Sequence, residues 1–194
     1  MSRHSGRVVA AVAIAGLLTL TTTAAGYPTK KVSATRWANS VCSAMGNWLE
    51  AVKQNSADVQ QAAQEAQTST DVTAITASFE SLFANAGDET RTLAKAIKAA
   101  GYPDTPKGRQ AQAALVKGFT KFAAAFDTLS ARAGQLPRSG AQSDFLTQLT
   151  SLQTDSQRRM NDFDKYFGKL DKLDPGHRLK KAFKRAASCR AMNG

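Results

Sequence analysis

Few residues in this chain have the types and spacing that chemistry requires. Cys42 and Cys189 are its only thiols. An even pair of thiols forms a disulfide where the compartment is oxidising. A bridge here would join the first helical stretch to the last, and closing a loop of about 150 residues stabilises by up to about 5 kcal/mol. Past residue 25 the chain holds one histidine, His177, so a two-histidine zinc site or a Glu-x-x-His diiron site cannot be built within one chain. There is no G-x-S-x-G elbow and no phosphate-binding glycine loop. Asp88 adjoins Glu89, and Asp162 sits near Asp164 beside Lys165. Adjacent helix positions diverge by roughly 100°, so these acids read as solvated faces rather than a general acid and base turned to one substrate. No catalytic residue, metal ligand or cofactor is assigned, and the expectation is a protein that is not an enzyme.

The elements that must position the thiols are helical. Trp37, Val41, Met45, Trp48 and Val52 recur at three- and four-residue steps from Ala34 onward, with Cys42 and Leu49 on the shoulder of that face. Asn55 and Ser56 either break this helix or are passed by the stripe at Val59, Ala62, Ala63 and Ala66. A second helix starts with Thr70 as cap, carries Val72, Ile75, Phe79, Leu82, Ala86, Leu93 and Ile97, and stops at Gly101, with Gly87 as a candidate kink. Thr105 as cap and Pro106 at the first position open a third, through Ala111, Leu115, Phe119, Phe122, Phe126 and Leu129 to Gly134. Ser143 caps a fourth, carrying Phe145, Leu149, Leu152, Phe163, Phe167 and Leu170. Asp174 and Pro175 start a short final helix through Leu179, Ala182, Phe183, Ala186 and Cys189. The expected fold is all-α: an up-and-down antiparallel bundle of four long helices plus a short C-terminal helix, with one disulfide, over residues 34–191. The aromatics at these spacings read as core.

Residues 1–25 have the order of a secretory signal peptide. Arg3 and Arg7 precede an apolar run from Val8 to Leu20, and small residues follow, with Thr23 and Ala25 placed for cleavage before Gly26. The run spans about 13 residues, short of the roughly 20 that a membrane-spanning helix needs. No cysteine follows it for lipid attachment, and its arginines are not adjacent as the twin-arginine route requires. Residues 26–33, beginning GYPTKKV, read as a flexible tether. The expected product is secreted, extracytoplasmic and available to the cell wall.

The chain has 26 Lys and Arg against 15 Asp and Glu, a net charge of +11. Two of those bases leave with residues 1–25. Residues 26–175 carry 18 bases and 15 acids, whereas 176–194 carry six bases and no acid. Arg178, Lys180, Lys181, Lys184 and Arg185 make a candidate anion-binding patch: Arg178, Lys181 and Arg185 in one row, Lys180 and Lys184 on the other flank. Fitting partners are anionic cell-envelope polymer, acidic lipid headgroups or an acidic protein. Nucleic acid fits poorly, because the patch has no interleaved exposed aromatics and the chain no recognised nucleic-acid module.

The pattern Trp37-x4-Cys42-x5-Trp48 in a first helix behind a signal peptide, with a lone second cysteine near the end, resembles small secreted helical proteins of actinomycete type. That resemblance implies export, helices and the disulfide, and no site. A looser resemblance, to secreted mycobacterial haem-binding helical domains with one disulfide and about half this length, points to haem as a ligand but brings no matching axial ligand; His177, Tyr166 or Met160 would serve only by accident of packing. Two functional expectations follow: a non-enzymatic envelope-associated binding protein using its basic last helix, or a carrier of a small apolar ligand such as haem between helices near Trp37 and Trp48.

Overall fold

The computed structural model describes residues 30–68, 72–137 and 142–192. The signal peptide expected over 1–25, the first part of the tether and the expected cap Thr70 lie outside the described residues. In chain order the elements are β1 (Lys31–Val32), α1 (Ala34–Thr68), α2 (Val72–Ala99), β2 (Tyr102–Pro103), α3 (Gly108–Gly134), α4 (Gln142–Leu173), α5 (Arg178–Arg185) and α6 (Ala187–Met192). The described chain is mostly helical, as the apolar periodicity requires.

Helix α1 runs through Asn55 and Ser56 unbroken. Each costs only about 0.5 kcal/mol relative to alanine, less than a long helix needs to open. Helix α2 likewise continues through Gly87 without a break. A Cβ on Gly87 would lie 3.0 Å from Asp127 Oδ1 and 3.5 Å from the Ala123 carbonyl of α3, so the missing side chain allows close helix approach. Gln112 Nε2 donates to the Lys98 carbonyl and Ser130 Oγ to the Glu80 carbonyl, so α2 and α3 run in opposite directions.

At the end of the stretch 26–33, residues 31–32 form β1, paired in parallel with β2, Lys31 opposite Tyr102 and Val32 opposite Pro103. The Tyr102 and Asp104 N–H groups donate to the carbonyls of Lys30 and Val32 at 3.1 and 2.8 Å. Gly101 makes this possible. Its φ is +80°, and a Cβ there would collide with the Lys30 carbonyl. The Thr105 cap is corrected. Helix α3 begins at Gly108, with Lys107 in the cap position and no side-chain cap, because Gly108 packs directly on the Pro103 carbonyl.

Two main apolar clusters form the core. One gathers Trp37, Val41, Leu93, Ile97, Leu115, Phe119 and Leu179; the other gathers Phe83, Leu129, Ala133, Leu136, Phe145 and Leu152. A third, small cluster of Ala38, Cys42, Ala182, Ala186 and Cys189 joins α5 and α6 to α1.

Candidate functional site: a cavity under the last two helices

The last helical stretch was expected to be one helix from Asp174 to Cys189. It is two. Asp174 does act as a cap, from a distance: its Oδ2 accepts the Lys180 N–H at 3.0 Å, after a turn in which His177 takes a left-handed φ of 51°. Helix α5 ends at Ala186, whose ψ of 125° breaks the helix. Helix α6 then starts afresh, with the Ser188 N–H donating to Asn39 Oδ1 of α1 at 3.2 Å. This change of direction brings Cys189 to Cys42. The two form the disulfide, 147 residues apart in sequence with Cα atoms 5.0 Å apart.

Between α1, the end of α4, α5 and α6 lies an open cavity of about 660 Å³, with Leu115 of α3 at its base. Its lining changes with depth. Trp37, Val41, Leu115 and Leu179 are buried and form the floor. Met45, Leu170, Phe183 and Met192 are half-buried and form the walls, and the disulfide adds its own sulfurs. Lys180, Lys184 and Asp171 are exposed at the mouth, while the Asp174 carboxylate sits deeper. Trp37 is held in place by its Nε1–H, which donates to the Gly101 carbonyl at 3.0 Å. Phe183 meets its indole edge-on at a centroid distance of 5.8 Å.

Of the two tryptophans expected near one ligand, both pack on the cluster that holds Phe119, but Trp37 lines the described cavity and Trp48 does not. The Trp48 Nε1–H donates to Thr90 Oγ1 at 3.0 Å, and its ring meets Phe119 and Phe122. The five bases expected as a patch, Arg178, Lys180, Lys181, Lys184 and Arg185, are all exposed on α5. They divide by face. Lys180 and Lys184, one turn apart, line the cavity mouth. Arg178 lies close enough to Lys31 to oppose its protonation, although the Asp104 carboxylate, accepting a hydrogen bond from Lys31 Nζ at 2.8 Å, holds the Lys31 pKa above its ordinary value. Beside them, the Arg109 guanidinium stacks 4.7 Å from the Tyr102 ring centroid.

Met45, Leu115, Leu170, Asp171 and Met192 complete a site that no sequence window could assemble, since they come from four separate helices. The described lining offers two thioethers and no imidazole or phenol. His177 is exposed ahead of α5 and outside the lining, and the side chains of Tyr166 and Met160 lie outside the described residues. The described cavity therefore does not fit a haem held by His177. Among the described residues, no three His, Cys, Asp or Glu side chains gather as a metal site, and no helix is long and apolar enough to cross a membrane. No protein family, curated protein or solved structure matches the chain.

Proposed function

We propose that the protein is an exported, non-enzymatic binding protein that holds a small apolar ligand in the cavity between α1, α3, α4, α5 and α6. The up-and-down arrangement of four long helices is its scaffold, with α5 and α6 as the cover. The observation that carries this reading is the cavity itself: about 660 Å³, within the roughly 300–1,000 Å³ of small-molecule sites, and mostly apolar with a few polar groups at one side. The leader-like residues 1–25 and the Cys42–Cys189 bridge support export. Titration with the neutral dye N-phenyl-1-naphthylamine tests it. Saturable emission enhancement is expected, and Leu170→Trp, which fills the wall, removes it while the far-ultraviolet circular dichroism stays unchanged. An absence of saturable binding refutes the reading.

A second reading rests on the exposed face of α5, which carries five bases and no acid over eight residues. It is docking to anionic envelope polymer. Retention on cell-wall material should fall steeply with salt and disappear when Lys180, Lys181, Lys184 and Arg185 are changed to Gln together. Retention that ignores both changes refutes it.

A further inference from the structure

We infer that the cavity selects a long-chain fatty acid, with the chain along Trp37, Leu115 and Phe183 and the carboxylate between Lys180 and Lys184; this rests on the reading of the cavity as a binding site. The argument begins with the gradient of the lining. Its floor and walls are apolar, so a ligand that fills them gains by leaving water with hydrocarbon and not with polar groups. Polar side chains gather at the mouth, so the ligand has one polar end. At about 660 Å³ the space suits one slender molecule and no polymer.

The sign of that polar end follows from charge. Lys180 and Lys184 lie one helical turn apart on the flank of α5 that meets the cavity. Their methylene stems extend the apolar wall while the ammonium groups remain in water. Two carboxylates also line the site. The Asp174 carboxylate is fixed against the start of α5 by accepting the Lys180 N–H, and it counts with Asp171 as a second acid of the lining. Against these two acids, α5 and α6 bring Arg178, Lys180, Lys181, Lys184, Arg185 and Arg190 with no acid. An anionic head therefore enters a net positive field and finds two donors at adjacent positions, whereas a cationic head meets repulsion from the same helix.

Displacement of the bound neutral dye from the purified, oxidised protein by palmitate, hexadecanol and hexadecyltrimethylammonium, each kept monomeric below its solubility limit or critical micelle concentration, separates the outcomes. Palmitate should bind about tenfold or more tightly than hexadecanol, as expected for a head held by charged hydrogen bonds. Lys180→Gln with Lys184→Gln should abolish the palmitate preference, so that palmitate and hexadecanol bind that variant alike. Lys181→Gln with Arg185→Gln should leave the palmitate preference in place. Equal binding of palmitate and hexadecanol overturns the head-group assignment and leaves the cavity reading standing. Tightest binding of the cation, or equal loss from the Lys181 and Arg185 pair, also overturns it. Displacement by none of the three overturns the fatty-acid assignment, and no binding of the neutral dye overturns both readings.

Discussion

At the end of the molecule that holds Phe83, Leu129 and Phe145, three long helices close on one another. Phe79, Phe126 and Leu149 pack against them from the side, and a cavity of only about 180 Å³ remains beside Leu136 and Leu152. At the end that holds Trp37 and Leu115, two short helices replace a long one, and the apolar wall they complete encloses a cavity of about 660 Å³. The residue types are alike, but the means of cohesion differ. The first end is held by interdigitated side chains. The second is held by a covalent bond, because α6 has only six residues and buries Cys189 as its one fully covered side chain. A disulfide keeps a wall in place without filling the space behind it.

Replacing both Cys42 and Cys189 by Ser should have the largest effect on this contrast. Loss of a crosslink across 147 residues should lower stability by up to about 5 kcal/mol in urea unfolding, and dye binding should weaken with it as α6 leaves the cavity wall. If binding persists unchanged in the double variant, the bridge does not maintain the cavity. Leu129→Ala, at the filled end, should cost about 3 kcal/mol yet leave dye affinity intact, since Leu129 is buried among other side chains. Loss of binding in that variant would show that the two ends are one cooperative unit for ligand.

Gly108→Ala should cost about 1–3 kcal/mol through overpacking against the Pro103 carbonyl. The strain passes through β2 to Gly101, whose carbonyl receives the Trp37 indole N–H, so a red shift of tryptophan emission should accompany it. An unaltered spectrum and unaltered stability would mean that the β1–β2 pair does not position Trp37. The smallest effect is expected from Arg91→Gln. Its guanidinium reaches Asp127 at 2.8 Å and Asp88 at 2.7 Å, which raise its pKa further, but the group is partly exposed and the loss should be below about 1 kcal/mol and smaller still in high salt. The measurement is the same urea midpoint with and without 0.5 M salt, a concentration of roughly three times the physiological 0.15 M.

The periodicity of Trp37, Val41 and Met45, of Phe79 and Leu93, and of Leu115, Phe119 and Phe122 places these residues in helices α1, α2 and α3. Each stripe is a local property, repeated every three or four residues within one segment. The Cys42–Cys189 pair was legible for a different reason: two thiols allow one pairing. The uneven charge was legible as well, down to the two flanks of the last helix, but not which flank meets a cavity.

The cavity, the parallel β1–β2 pair and the break at Ala186 belong to tertiary structure alone. The pairing of residues 31–32 with 102–103 uses backbone groups, which every residue type supplies. The break at Ala186 is supported by Asn39 receiving the Ser188 N–H and by the bond to Cys42, both about 150 residues away in sequence. The cavity is space left between five helices, and space has no sequence signature. The amino-acid sequence alone determined which segments are helical, which thiols pair and where the positive charge accumulates, because those depend on near neighbours or on counting. Only the tertiary structure put Trp37 and not Trp48 at the cavity, and turned the Lys180 and Lys184 flank of α5 towards it, because which side chain faces a cavity is decided by the elements packed against it.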